Sequence, residues 1–394
     1  MSLIRIMSTY RFFAGVLVLF LAVSTLLAMK IKFNFHHGFE GIFILNGEKG
    51  AWLEICDDLF PEESQRLLWG KPLCYLKQVA SNEACTVSNK PCANYEWNEK
   101  AGRGFIKLSY PDGRKLVINL GRFLDSEGKK TSGLFLGGGL PPSDPDYSLS
   151  DRNKTGMAYY DGHRYYHIWC NANEGIADAV NAQITPSNWQ FISSRVLESS
   201  VDNVTIVSNH RVLVNDVPVA VERLLFYQTG NHFVTLVTNF RNIGTAPTTF
   251  SYSYGDEPWI GDYGSSAGNV GWLKNRVILR ETEINTEQHS YAGMVDYGNP
   301  LAGEHHEFYS HKANFIEWQP SNRPDLAYFA NKFDAKDTIG KNLPLTSMTD
   351  RVINLIWGPD SLKPGESFSF TIAVGMADND PKTGFPIKPD THLH

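Results

Sequence analysis

At 394 residues, with 42% hydrophobic and 20% charged side chains, the chain has enough apolar material for a large core, which excludes an intrinsically disordered protein. A net charge of −6, with no basic block interleaved with aromatics, excludes a nucleic-acid-binding surface. The length suits one large β domain or two ordinary ones.

Residues 12–29 (FFAGVLVLFLAVSTLLAM) form an uncharged apolar run between Arg5 and Arg11 on one side and Lys30 and Lys32 on the other. As a helix such a run spans about 27 Å, just enough to cross a bilayer. A signal peptide cleaved after Ser24, with Ala22 and Ser24 as the small residues, is the competing reading. The expectation is an uncleaved anchor over 1–32, with the bulk of the chain extracytoplasmic: periplasmic, lumenal or at the cell surface. Residues 33–100 follow as a mixed segment with a short helical candidate at 62–69 and four clustered cysteines, Cys56, Cys74, Cys85 and Cys92. In an oxidising compartment these make two disulfides in one of three connectivities and hold a loop-rich segment together. Zinc competes for them, but no C-x-x-C pair is present. Cys170 stands alone after a strand-like run and reads as a buried free thiol.

From about residue 102 the strand signals become dense. Runs at 104–109 and 114–120 are joined through Pro111-Asp112-Gly113, and runs at 157–160 and 163–169 through Asp161-Gly162, both good tight-turn signals. Further runs lie at 204–208, 211–214, 219–227 and 232–241. Later ones lie at 276–281, 306–310, 352–356 and 367–374. Two strands flank a Gly/Pro turn at 242–247, and in the second Phe250, Tyr252 and Tyr254 alternate with Thr249, Ser251 and Ser253. Many short strands with few helical patterns predict an all-β fold, a large β-sandwich over 101–380, with an extended or frayed tail at 381–394.

The candidate site centres on the loop that follows. Asp256, Glu257 and Asp262 are carboxylates suited to acid/base work or to holding sugar hydroxyls, and Trp259 and Tyr263 supply flat faces for stacking. Pro258 and the nearby glycines let the chain turn sharply enough for these groups to converge. A solvated loop whose acids cap backbone amides is the plainer alternative. The 159–169 hairpin is the second candidate. On one strand His163, Tyr165, His167 and Trp169 share a face, while Arg164, Tyr166, Ile168 and Cys170 share the other. His163 and His167 then stand about 13 Å apart, too far for one metal but suited to lining one groove. Ordinary half-buried sheet residues are the alternative there.

The cluster Glu304-His305-His306-Glu307 with His311 lacks metal-site spacing, and no EF-hand pattern is present. Gly137-Gly138-Gly139 lacks the P-loop ending, and no G-x-S-x-G elbow occurs. The expectation is therefore no metal and no cofactor. Asn153-Lys154-Thr155 and Asn203-Val204-Thr205 match glycosylation acceptors.

The phrase Asn242-Ile243-Gly244 with Pro247, followed by alternating aromatics, is similar to strands of galactose mutarotase-like supersandwich domains. So is Leu362-Lys363-Pro364-Gly365-Glu366 leading into a last alternating strand. Small immunoglobulin-like adhesion modules use similar phrases, but closer together than residues 242 and 362. The resemblance implies a supersandwich fold and a carbohydrate ligand. The epimerases of that group use a histidine acid and a glutamate base, a pair that no motif here locates. The expected function is a membrane-tethered extracytoplasmic protein that binds or modifies carbohydrate or a cell-envelope polymer. The alternative is a non-catalytic envelope or surface module with a protein partner.

Overall fold

Strict alternation turns Phe250, Tyr252 and Tyr254 to one side, where all three are buried, and leaves Thr249, Ser251 and Ser253 on the more exposed side. The computed structural model describes residues 67–68, 71–72, 79–81, 92–125, 127–138, 155–171, 173–180, 183–199, 203–260, 268–297, 310, 312–331, 342–345 and 351–393. The hydrophobic run at 12–29, Cys56, Cys74, Cys85, and the 304–307 cluster with His311 lie outside these residues. Cys92 is described only through its backbone. Among the described residues no helix is long and apolar enough to cross a membrane.

Three antiparallel sheets of six, five and nine strands make the architecture. In chain order the strands are β1 (Val79–Ser81), β2 (Cys92–Asn98), β3 (Arg103–Ser109), β4 (Lys115–Leu120), β5 (Gly156–Tyr160) and β6 (Tyr165–Trp169). Next come β7 (Gly175–Asp178), β8 (Gln190–Ser199), β9 (Asn203–Val214), β10 (Val217–Gln228), β11 (Phe233–Asn242), β12 (Thr248–Asp256) and β13 (Asn269–Leu273). The last are β14 (Arg276–Ile278), β15 (Thr282–Glu283), β16 (Tyr291–Asp296), β17 (Asn314–Trp318), β18 (Leu326–Asn331), β19 (Arg351–Leu362) and β20 (Ser367–Met376). The six-stranded sheet runs β6-β5-β4-β3-β2-β1 and the five-stranded sheet β7-β12-β19-β18-β15. The nine-stranded sheet runs β8-β9-β10-β11-β20-β17-β16-β13-β14.

The five- and nine-stranded sheets meet through aromatic rings. Tyr252 on β12 lies 4.8 Å from Phe240 on β11, and Trp357 on β19 stacks on Phe370 of β20 at 4.2 Å. The six-stranded sheet joins the same core through Trp169 stacked on Tyr254 at 6.1 Å, and through the Trp97 indole, which donates to Ser194 on β8 at 3.2 Å. Burying one such ring contributes about 2–3 kcal/mol, so this seam is a major source of stability. Both predicted hairpins form. Gly113 and Gly162, at φ +88° and +100°, occupy the left-handed region that only glycine enters cheaply.

Asn242 ties together two phrases 120 residues apart. Its Nδ2 donates to the carbonyls of Ala246 at 2.8 Å and Leu362 at 2.9 Å, and its Oδ1 accepts from the Gly244 amide at 2.8 Å. Its backbone exchanges hydrogen bonds with Gly365 and Glu366. The two segments that carry the resemblance in sequence are thus neighbours at one corner of the sandwich.

Several expectations change. The runs at 204–208 and 211–214 are one strand, because Asn209 and His210 pair with Glu222 and Val221 without a break in register. At Leu67 and Leu68 the helix expected over 62–69 gives way to a ribbon with Lys71–Pro72, since so short a helix has little to hold it. β1 and β2 lie in the sheet that also holds β3 to β6, so that sheet crosses the boundary drawn at residue 100. The tail is not frayed. Pro386 and Ile387 pair with Asn379 and Asp378, and Lys388 bridges to buried Glu317 at 2.8 Å. Thr391 also donates to Glu317, and Phe385 and Leu393 pack on a second apolar cluster around Phe233, Trp272 and Phe315.

Candidate functional site

The period of two that buries Tyr252 and Tyr254 also carries Asp256 to the core face of β12. Gly255 makes that position possible. A Cβ there would meet Asn354 Oδ1 and the Ile353 carbonyl at 2.4 Å. Asp256 is fully buried. Its Oδ1 accepts from the Cys170 amide at 2.7 Å and its Oδ2 from Asn314 Nδ2 at 3.0 Å. Burial drives the carboxyl pKa well above the usual carboxylate range, against the opposing pull of the Cys170 and Glu257 amides. Glu257 is buried beside it, and Trp259 is half-buried.

The β5–β6 hairpin reaches this loop from the other side. His167 meets Trp259 edge-to-face at 5.5 Å, while Trp169 is fully buried against Tyr254. The pairing register slips by one residue between His167 and Trp169, so the strict alternation expected through Trp169 ends at His167. His163 is exposed at the hairpin tip, its amide donating to Asp161, and it does not join His167 in a groove. Asp262 and Tyr263 lie outside the described residues. The structure therefore gathers Asp256, Glu257, Trp259 and His167, sets Trp169 in the adjoining core, and leaves His163 apart.

Several buried polar atoms here are unsatisfied. Among the described residues the Trp259 indole nitrogen, Asn171 Oδ1, Asn173 Nδ2 and Asn269 Oδ1 have no hydrogen-bond partner, and the ring nitrogens of buried His167 have at most a poorly aligned one with the Trp169 backbone. Buried polar groups are nearly always satisfied, so each of these atoms calls for a partner, as do others in the core at Trp189, Tyr227 and Trp318. Backbone contacts show the grouping: the Asn173 amide donates to Gly255, and Asn269 Nδ2 donates to the Pro258 carbonyl at 2.6 Å. Burial drives the His167 imidazole down to about 3, so it is neutral in the physiological range. Deeper in, Glu174 accepts from Arg223, Tyr252 and Asn171, and all four side chains belong to buried residues. Burial raises the Glu174 pKa, opposed by the Arg223 guanidinium.

Sequence reasoning missed Asn171, Asn173, Glu174, Asn269, Asn314 and Arg223. The signal was faint: the polar stretch Asn171, Asn173, Glu174 closes an otherwise aromatic hairpin. Asn314 sits on β17, which is buried along its whole length and shows no alternation to reveal it as a strand. Among the described residues no group of three or more His, Cys, Asp or Glu side chains is placed to hold a metal ion. Cys170 is buried, as expected. Three open clefts elsewhere on the surface contain none of the site residues.

No protein-family model matches the sequence, and no curated protein sequence matches it. Among solved structures the chain is similar to a candidate aldose 1-epimerase from Klebsiella pneumoniae subsp. pneumoniae MGH 78578. The identity is 10%, over 72% of this chain and 84% of that one, with a TM-score of 0.37. It is similar to a galactose mutarotase-like protein from Lactobacillus casei at 8% identity, over 76% and 99% of the two chains, with a TM-score of 0.34. It is also similar to the GH36 alpha-galactosidase AgaA from Geobacillus stearothermophilus at 9% identity, over 70% and 40%, with a TM-score of 0.32. This is a weak likeness of fold. At these scores it carries no argument about activity, and the sandwich description rests on the sheets themselves.

Proposed function

We propose that this protein binds or modifies carbohydrate at the junction of the β5–β6 hairpin and the loop after β12. The supporting observation is the set of unsatisfied polar atoms on His167, Asn171, Asn173, Trp259 and Asn269 beside a half-buried indole. A saccharide offers both what those atoms lack, hydroxyl donors and acceptors, and a C–H face for the ring. In this reading Asp256 holds the loop through the hydrogen bonds its oxygens accept from the Cys170 amide and Asn314. Glu257 and Asp262 are the carboxylates assigned to acid/base work, and Tyr263 is a second stacking face.

Calorimetry against a panel of neutral monosaccharides and oligosaccharides tests this. Trp259→Ala is expected to weaken the best ligand by roughly 30-fold, the loss of about 2 kcal/mol typical of a stacked Trp, with an unchanged melting profile. Equal binding by parent and variant removes Trp259 from the site. A second reading, a non-catalytic module with a protein partner, is favoured by β8. That strand is an edge of the nine-stranded sheet and exposes Ile192 and Leu197. Binding of no sugar, together with partner capture that Ile192→Lys abolishes, selects it.

We infer further that residues 12–29 tether the sandwich to a membrane on its extracytoplasmic side. Cys56, Cys74, Cys85 and Cys92 are then paired. The apolar run and the cysteine cluster support this. Non-reducing mass spectrometry of the membrane-extracted chain should find two disulfides and Cys170 free; five free thiols would overturn the compartment.

A further inference from the structure

At the outer end of the β5–β6 hairpin three cationic side chains gather around two buried tyrosine rings. Tyr159 and Tyr166, partners across the hairpin, have ring centroids 6.1 Å apart. Lys312 Nζ stands 5.4 Å from the Tyr159 centroid and 6.0 Å from that of Tyr166. The Arg164 guanidinium lies 4.9 Å from the Tyr166 centroid, and its Nε donates to the Tyr166 hydroxyl at 2.9 Å. Arg114 Nη1 donates to the Tyr159 hydroxyl at 3.1 Å.

The carboxylates nearby are already engaged, and Asp296, whose charge reaches Arg164, accepts from the Ser310 amide at 2.7 Å. Asp112 pairs with Arg114 at 2.7 Å. Asp161 accepts from the amides of His163 and Arg164 and from the Tyr166 hydroxyl. Among the described residues neither Lys312 nor Arg164 has a carboxylate within ion-pair distance. Lys312 is half-buried, and burial lowers its pKa, while the Asp161 charge raises it and the Arg114 charge lowers it. An ammonium drawn partly out of water without a counter-ion is unfavourable, and ring faces offset only part of that cost. A bound anion would offset the rest.

We propose that Lys312, Arg164 and Arg114 form an oxyanion-binding site, taking a carboxylate or phosphate group against the rings of Tyr159 and Tyr166. Lys312 lies two residues, about 7 Å of extended chain, before Asn314, which donates to Asp256. The anion site therefore adjoins the proposed sugar site. It stands without the sugar reading, because a bare anion is a sufficient probe.

The test is calorimetry on the full chain in detergent at low ionic strength, with inorganic phosphate, galacturonate and galactose as probes. Phosphate or galacturonate is expected to bind, and whichever binds tighter names the source of the oxyanion. Lys312→Met keeps the apolar stem and removes the charge, and Arg164→Gln removes the charge from an exposed side chain. Each is expected to weaken the anion by about tenfold or more, as for loss of one charged hydrogen bond, with galactose binding unchanged. No binding of either anion at millimolar concentration overturns the proposal. So does parental anion affinity in both variants. A parent chain that binds an anion but not galactose would count against the Trp259 site and leave the anion site standing.

Discussion

Replacing Asn242 tests whether the corner between β11 and β19 is held by one side chain. Asn242→Ala removes two donated hydrogen bonds, to Ala246 and Leu362, and one accepted from Gly244, each between 2.8 and 2.9 Å. At about 1 kcal/mol net for each bond, and with the Leu362 carbonyl left in a buried setting, the loss is about 3 kcal/mol. Asn242→Asp keeps an acceptor for Gly244 but turns a carboxylate oxygen toward two carbonyls. It should cost about 1–2 kcal/mol more at pH 7, part of which returns when the carboxyl is protonated near pH 4. Urea unfolding followed by tryptophan fluorescence reads both, provided the m-value is unchanged. A loss under about 1 kcal/mol for Asn242→Ala, or Asn242→Asp more stable than Asn242→Ala at pH 7, would refute the reasoning.

Arg223→Met strands Glu174 as an uncompensated buried acid and should destabilise by about 3–5 kcal/mol. The double variant Glu174→Gln/Arg223→Met should lose clearly less in the same urea assay, and equal losses would show that the charges are not coupled. The pH dependence follows from His167 and His210, both buried and both held down to about 3. Folded, they stay neutral, while the unfolded chain protonates them below about 6.5, so stability falls as pH drops from about 6.5 toward 3. Between pH 7 and 5 each contributes a loss on the order of 2 kcal/mol, and His210→Gln should remove about half of the combined slope. Asp256 has the opposite sign, since its raised carboxyl makes stability fall as pH rises above about 4. A parent and a His210→Gln variant with the same slope would show that His210 titrates normally.

The strand framework was legible wherever chemistry is local. The alternation at Phe250, Tyr252 and Tyr254, and the turns at Gly113 and Gly162, depend on neighbours in sequence, and they form as expected. Strands β16, β17 and β18 were invisible because nearly every side chain in them is buried, which erases the polar half of the pattern. The site was half legible. Asp256, Glu257, Trp259 and His167 drew attention through residue type and come together in space. The groups that hold them, Asn314 for Asp256 and Asn269 for Pro258, lie 58 and 11 residues away, and no local signal links them. The one-residue slip after His167 also defeats a face assignment made by counting in twos.

The tail packed along Glu317 has a practical consequence. On β17, Asn314 and Glu317 point to opposite faces, the first toward Asp256 and the second toward Lys388 and Thr391. The nine-stranded sheet thus works as a partition, with the candidate site on one side and the last described residues on the other. Immobilising the chain through the neighbourhood of Leu393 would turn the partition toward the support and leave the opposite side open to solution. That is the orientation a surface-based binding measurement on this protein needs.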